Sequence, residues 1–151
     1  ISKITGKRFI DLDSYIESTT NQTISNIFSS KGEVYFRKIE SDCLKVIMGN
    51  YDNVILSLGG GTPCYSNNLN LIKDSKSFYL KYSTTILSNR LINIKSSRPI
   101  LSNINNIDSM NDYIAKHLFE RNYYYNQVSD IIQCDLKSKD EIANEILSLL
   151  Y

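Results

Sequence analysis

A pair of carboxylates separated by one residue could carry chemistry near the start of this chain. Asp11 and Asp13 follow the apolar pair Phe9 and Ile10. On a strand, residues two apart point to the same side, so both carboxylates would face one site, with Leu12 opposite. Such a pair can hold a hydrated Mg²⁺ and accept a hydrogen bond or a proton from a substrate hydroxyl. The alternative is that Asp13 only caps a helix and that Asp11 is solvated.

A second candidate group is an arginine flanked by two carboxylates. Glu33 and Glu40 lie one helical turn before and after Arg37. The group is either a plain surface salt-bridge network, worth ~0.3–0.5 kcal/mol per pair, or a means of holding the guanidinium still. A fixed planar guanidinium could receive a ligand carboxylate through two parallel hydrogen bonds. Both interpretations stay open at this point.

Three consecutive glycines, Gly59, Gly60 and Gly61, follow the apolar run 54–58. An apolar strand that leads into a glycine loop is typical of the middle of a parallel sheet. Glycines permit positive φ and let a ligand lie directly on exposed backbone N–H groups. A tight turn is the alternative, but it explains one glycine better than three.

Three arginines later in the chain, Arg90, Arg98 and Arg121, could bind anions. Arg98 precedes Pro99 in the polar segment 95–106, which we interpret as a loop or flap. A flap arginine that reaches over phosphates would stabilise charge on a transferring phosphoryl group. For any one of these arginines alone, a scattered surface cation is the alternative.

The secondary structure must position these residues, and strands alternate with helices along the chain. We predict strands at 7–12, 54–58, 77–80 and 130–134, a helix capped by Asp13, and helices at 23–28, 31–48, 69–73, 84–94, 109–121 and 139–150. This alternation predicts an α/β fold with a mainly parallel sheet. Right-handed crossovers place functional loops at the carboxyl ends of the strands, where the carboxylate pair and the glycines occur.

Length and composition limit the class of protein. The 151 residues, 42% apolar and 22% charged, are typical of one soluble globular domain and argue against disorder. The net charge of +1 gives no reason to expect a nucleic acid or membrane partner. No apolar run is long enough to span a bilayer. Cys43, Cys64 and Cys134 lack metal-ligand spacing, so we expect reduced thiols in a cytoplasmic protein, and we expect His117 to be structural.

The order of these motifs is similar to that of the shikimate kinase family, within the P-loop kinase group. The matching residues are 9–13 with 16–17, 24–28, 32–37 with Glu40, 54–61, 79–80, 90–91, 98–101, and 120–121 with Tyr125. The resemblance implies a P-loop kinase-like three-layer sandwich with helices on both faces of the sheet. It also implies a transferase that uses MgATP to phosphorylate the 3-hydroxyl of shikimate, on the route to chorismate and the aromatic amino acids.

The resemblance further implies roles on the substrate side of the site. Asp13 would orient the attacking hydroxyl and accept its proton, and Asp11 would hold Mg²⁺ through water. Arg37 and Arg121 would bind the shikimate carboxylate, while the backbone of the three glycines, Gly60 above all, would contact the ring hydroxyls. Shikimate, a small carboxylate with three hydroxyls, needs partners of these kinds.

Other implied roles concern the pocket wall and the nucleotide. Phe28 and Phe36 would wall the pocket. Arg90 would lie near ATP, and Arg98 would reach the ATP phosphates as a catalytic lid residue. Because the family is usually monomeric, we expect a monomer whose partners are shikimate and ATP.

Two features depart from the family's pattern. Tyr123 stands two residues after the carboxylate-binding arginine, Arg121, where the family usually has a proline. The phosphate-binding loop Gly-x-x-x-x-Gly-Lys-Ser/Thr does not occur within residues 1–151. We therefore expect residues 1–151 to form a single shikimate kinase-like domain whose first strand and phosphate loop precede Ile1, and we expect an enzyme on that condition.

Two other functions remain open. One is a nonenzymatic module that binds shikimate without using ATP. The other is a related P-loop kinase for another small polyol acid such as gluconate. Arg37, Arg121 and the glycine triplet favour shikimate over gluconate, and a phosphate loop ahead of Ile1 would separate the enzyme from the binding module.

Overall fold

The chain divides into two units, Ile1–Ser75 and Lys76–Tyr151. The computed structural model describes residues 1–92, 104 and 106–151. Arg98 and most of the predicted flap at 95–106 lie outside the described residues. Within the described residues, each unit contains helices and one parallel pair of strands, so the predicted α/β class with parallel pairing is confirmed in both.

The first unit is built around strands β1 and β2 and the long helix α3. Its elements are α1 (Ser2–Thr5), β1 (Phe9–Asp11), α2 (Leu12–Thr20), α3 (Ile24–Asn50), β2 (Ile55–Ser57), a 3₁₀ turn (Thr62–Cys64) and α4 (Asn68–Ile72). β1 and β2 are parallel, with Ile10 opposite Leu56 and Asp11 opposite Ser57. Because both strands end at the same edge, the carboxylates after β1 and the glycines after β2 emerge together.

The core of the first unit fixes the junction between β1 and α2. Leu12 and Ile16 of α2 and Leu44 and Ile47 of α3 are completely buried, and Ile10 of β1 joins the same cluster. Burying a side chain of this size contributes roughly 1.5–3 kcal/mol relative to leaving it exposed. The first turn of α2 therefore has little freedom to move.

The cap of α2 differs from the prediction. Strand β1 ends at Asp11, whose side chain accepts a hydrogen bond from the Ser14 N–H at 3.0 Å and caps the helix. Asp13 lies in the first helical turn, so the prediction that Asp13 caps the helix was wrong, as was the argument that both carboxylates lie on one strand. Asp11 becomes the cap because its backbone is still extended, which is the conformation that a capping residue adopts.

Helix α3 is interrupted at Gly32. This residue has φ 79° and ψ 174°, while the stretches 24–31 and 33–50 on either side are helical. The sequence predicted two helices here, at 23–28 and 31–48. Two helical stretches are present, but the break lies at Gly32, inside the second predicted helix, because the first stretch runs further than predicted. Backbone angles of this kind are nearly restricted to glycine. The second stretch therefore starts one turn before Arg37.

The second unit carries the other parallel pair. Its elements are β3 (Phe78–Lys81), α5 (Thr84–Ile92), α6 (Ile107–Tyr125), β4 (Asp130–Gln133) and α7 (Lys139–Leu150). β3 and β4 pair with Tyr79 opposite Ile131, and α5 packs on α6 around the buried Met110 and Ile114. Among the residues described, no helix is both long enough and apolar enough to cross a membrane.

We predict opposite effects for two glycine substitutions in α3. Gly32→Ala should lower the free energy of unfolding by ~1–3 kcal/mol, because an L residue is strained at this φ and ψ. Gly49→Ala is the matched control. Gly49 is helical and has open space around its Cα, so alanine there should raise stability by up to about 1 kcal/mol. Urea unfolding of both variants checks the prediction, and equal effects of the same sign would contradict the strained break.

Candidate active site

Asp13 belongs to a cluster of charged side chains in the first unit, with Asp11, Glu17, Arg37 and Glu40. Although the residue is exposed, partial desolvation of its carboxyl group raises its pKa, and the negative charges of Asp11, Glu40 and Glu17 raise it further. The positive charge of Arg37 acts in the opposite direction. The carboxylate of Asp13 therefore accepts a proton more readily than an isolated aspartate does.

Arg37 is held by both of its flanking carboxylates. Its Nε and Nη2 atoms donate to Glu33 Oε1, each at 3.2 Å, and its Nη1 donates to Glu40 Oε2 at 2.9 Å. Glu40 is only 1% exposed, so this half of the group is not a surface salt bridge. A guanidinium has five N–H donors, and these bonds use three of them. Two donors remain, one on each terminal nitrogen, for a ligand carboxylate.

Aromatic rings lie next to the Arg37 guanidinium. The carbon Cζ lies 4.1 Å from the centre of the Tyr65 ring and 5.1 Å from that of Phe36. Cations at these distances from a ring are attracted to it, and the rings also restrict movement. Phe36 in turn contacts Phe28, with ring centres 4.6 Å apart. Phe36 is buried and Phe28 half-buried, so their role as a pocket wall stays a prediction.

Gly61 has no room for a side chain, and Gly59 has little. A Cβ atom on Gly61 would lie 2.6 Å from Nη2 of Arg37, and one on Gly59 would lie 3.3 Å from Oγ1 of Thr62. Gly61 has φ −83°, and Gly59 is also outside the left-handed region. Positive φ, one of the predicted reasons for these glycines, is therefore wrong for both. Gly60, between them, is exposed.

The segment after the glycines is tied to Glu40 by a residue that the sequence analysis missed. The Thr62 hydroxyl donates to Glu40 Oε1 at 2.8 Å, and the Thr62 carbonyl accepts a hydrogen bond from Asn68 Nδ2 at 2.9 Å. Thr62 and Asn68 are completely buried. Neither these two residues nor Tyr65 belongs to a recognisable motif. Only their closeness to the glycines could have pointed to them.

The structure thus brings together five predicted residues of the first unit. They are Asp11, Asp13, Arg37, Gly59 and Gly61, joined by Glu40. Two other predicted residues, Arg90 and Arg121, belong to the second unit.

The arginines of the second unit have contacts of their own. The guanidinium of Arg90 lies over the Tyr82 ring at 4.2 Å. Desolvation raises the pKa of Tyr113, and the positive charge of Arg121, which is half-buried, acts in the opposite direction. The roles of Arg90, Arg98 and Arg121 in the site stay predictions.

Residues predicted to be structural also have simple surroundings. His117 packs against the Tyr113 ring, with centres 4.3 Å apart. Cys43 and Cys134 are free thiols, and Cys64 Sγ donates to the Gly60 carbonyl oxygen at 3.8 Å. Within the described part of the chain, no three His, Cys, Asp or Glu side chains form a group that could hold a metal ion by themselves.

Asp11 and Asp13 follow β1, and Arg37 of α3 lies against Gly61 after β2. Carboxylates and a fixed arginine therefore meet where two parallel strands end, which is the edge at which ligands usually bind in open α/β sheets. A family model described as shikimate kinase matches residues 1–151. Shikimate kinases of Flavobacterium johnsoniae and Flavobacterium psychrophilum are 43% and 44% identical to the chain, covering 99% and 100% of it and 88% of each relative. The chain belongs to the shikimate kinase family.

Solved structures agree with this assignment. A crystal structure of shikimate kinase from Bacteroides thetaiotaomicron has a TM-score of 0.85 and 31% identity, covering 98% of this chain and 84% of that one. Shikimate kinase from Acinetobacter baumannii in complex with shikimate has a TM-score of 0.84 and 27% identity, covering 99% and 81%. The predicted P-loop kinase-like α/β fold is confirmed.

We predict that Gly61→Ala is destabilising because its new methyl group collides with Arg37. The expected loss in the free energy of unfolding is ~1–3 kcal/mol, the usual cost of overpacking. The same change in an Arg37→Ala background should cost much less, since the colliding group is gone. Urea unfolding of the four proteins in this double-mutant cycle measures the difference. Additive costs would contradict the steric role of Gly61.

Proposed function

We propose that this protein transfers the γ-phosphoryl group of ATP to the 3-hydroxyl of shikimate, a step towards chorismate and the aromatic amino acids. The observation that carries the proposal is the position of Asp13 beside Gly59 and of Arg37 beside Gly61, in a chain whose whole length matches the shikimate kinase family. The related protein from Acinetobacter baumannii, solved with shikimate, supports the same substrate.

Shikimate recognition rests on Arg37 and the glycine loop in this proposal. Glu33 and Glu40 hold the guanidinium, and its two remaining donors suit the two oxygens of a carboxylate. Gly59, Gly60 and Gly61 would offer backbone groups to the ring hydroxyls. Arg121 would supply the second cation for the carboxylate. Phe28 and Phe36 would form the wall.

Asp13 would bind the attacking 3-hydroxyl and accept its proton. Phosphoryl transfer depends mainly on in-line positioning and on stabilising charge at the phosphate oxygens. A carboxylate whose pKa is raised by desolvation and by neighbouring carboxylates suits this role, because proton transfer to it becomes more favourable as the hydroxyl attacks.

The nucleotide side of the proposal involves a metal ion and two arginines. Asp11 and Asp13 supply the oxygen ligands that Mg²⁺ prefers, and Asp13 is a carboxylate crowded by negative charge, so these residues fit the ion. Asp11 would hold it through water. When bound with ATP, Mg²⁺ neutralises charge on the phosphates. Arg98 and Arg90 would contact the nucleotide, with Arg98 acting on the transferring group.

Further parts of the proposal concern the setting of the reaction. We propose that residues 1–151 act as one shikimate kinase-like domain, as a monomer without nucleic acid or membrane partners. The buried free thiols of Cys43 and Cys134 support a cytoplasmic location. The nonenzymatic module and the gluconate kinase are not favoured, because the curated relatives are named shikimate kinases.

Asp13→Asn should lower kcat at least about 100-fold, the usual scale of general-base catalysis. The KM for shikimate should change little, because asparagine can still hydrogen-bond the hydroxyl. A coupled assay of shikimate-dependent ADP release on the full-length protein measures both constants. Asp42→Asn, on the exposed surface of α3, is the matched control. An unchanged kcat in Asp13→Asn would remove Asp13 from the chemistry.

Arg37→Lys should raise the KM for shikimate about tenfold or more, since lysine keeps the charge but loses the planar pair of donors. The KM for ATP should stay as in the wild type, because Arg37 binds the shikimate carboxylate and not the nucleotide in this proposal. The kcat should change little, because that carboxylate is bound equally in the ground and transition states. Lys38→Ala changes the neighbouring exposed cation and serves as the control. Equal rises in both KM values would contradict the role of Arg37.

A further inference from the structure

The Glu40 carboxylate is buried and has one hydrogen-bond partner for each oxygen. Oε2 accepts from Nη1 of Arg37 at 2.9 Å, and Oε1 accepts from the Thr62 hydroxyl at 2.8 Å. A buried carboxylate that lacks a partner strongly destabilises the folded state, because its lost hydration is not replaced. With both oxygens bonded, the carboxylate cannot rotate without breaking a hydrogen bond. Its orientation, and with it that of Arg37, is therefore set from two sides.

The Thr62 hydroxyl is itself held in place by the backbone around it. The Thr62 N–H donates to the Gly59 carbonyl at 3.0 Å, and the Thr62 carbonyl accepts from the Asn68 side chain at 2.9 Å. The residue is completely buried and starts the 3₁₀ turn that follows the glycines. The hydroxyl therefore connects the glycine loop to Glu40, and through Glu40 to Arg37.

We propose that Thr62 is a positioning residue, whose hydroxyl fixes Glu40 so that Arg37 presents its two remaining donors to the substrate carboxylate. The inference rests on the proposed function of Arg37. It differs from a packing role in one respect. Valine has nearly the shape of threonine but lacks the hydroxyl, so a packing role would tolerate valine and a positioning role would not.

The test compares three variants of the full-length protein. Thr62→Val removes the hydroxyl, Thr62→Ser retains it, and Thr20→Val is the matched control in α2, where the threonine hydroxyl donates to the Ile16 carbonyl at 2.9 Å. Thr62→Val should raise the KM for shikimate about tenfold, the change that corresponds to ~1.4 kcal/mol of binding free energy, and leave the KM for ATP unchanged. Thr62→Ser and Thr20→Val should stay within about twofold of the wild type, well below that tenfold step.

A double-mutant cycle asks whether Thr62 acts through Arg37. In an Arg37→Lys background, Thr62→Val should add little to the KM for shikimate, because the group that it positions has been replaced. Equal losses in Thr62→Val and Thr62→Ser, equal rises in both KM values, or full additivity with Arg37→Lys would each overturn the proposal. If Thr62→Val does not fold, Thr62→Ala takes its place under the same criteria.

A measurement without substrate separates this proposal from the proposed function. The ¹⁵Nε–¹Hε NMR signal of Arg37, assigned by its loss in Arg37→Lys, should be sharp and slow to exchange in the wild type and in Thr62→Ser. It should broaden or exchange faster in Thr62→Val. If the wild type releases no ADP with shikimate, the proposed function is wrong. The NMR signal would then still test whether Thr62 positions Arg37. An identical signal in Thr62→Val would overturn it.

Discussion

The buried ion pair between Glu40 and Arg37 is the interaction on which the rest of the site depends. A carboxylate that is 1% exposed must be fully hydrogen-bonded, because removing one partner of such a pair typically costs ~3–5 kcal/mol. The surroundings follow from this need. Thr62 supplies the second hydrogen bond, and Gly61 lacks the side chain that would displace the guanidinium. The charge of Glu40 also contributes to the raised pKa of Asp13.

The fold brings these groups together through two local features of the backbone. The parallel register of β1 and β2 places Asp11 beside Ser57, so the loops after both strands start at one edge. The break at Gly32 ends one helical stretch and starts the next at residue 33. Helical spacing then puts Glu33, Arg37 and Glu40 on one face. Both features are therefore local to the backbone, at the ends of β1 and β2 and at Gly32.

Sequence patterns located the groups better than they explained them. The ordered motifs predicted that Asp13, Arg37 and the glycines share a site, and the first unit brings them together. The cap was misassigned because either aspartate satisfies the capping pattern, and only the end of β1 decides between them. Positive φ was the wrong reason for glycine, since the crowding by Arg37 is a long-range contact. Thr62 was missed because its contact with Glu40 is also long-range. A single hydroxyl in a loop is part of no periodic pattern.

The charge balance of the first unit bears on how the site selects its substrate. Arg37 is shared with Glu33 and Glu40, and Asp11, Asp13 and Glu17 add negative charge nearby. These groups carry one positive charge against five negative charges, so they give an anion no attraction at long range, and selection by them must come from directed hydrogen bonds at short range. A simple carboxylic acid could use the two free donors of Arg37 but would leave Asp13 facing no hydroxyl. A hydroxylated acid satisfies both groups, which favours a polyol acid of fixed ring geometry over a flexible one that must lose more conformational entropy on binding.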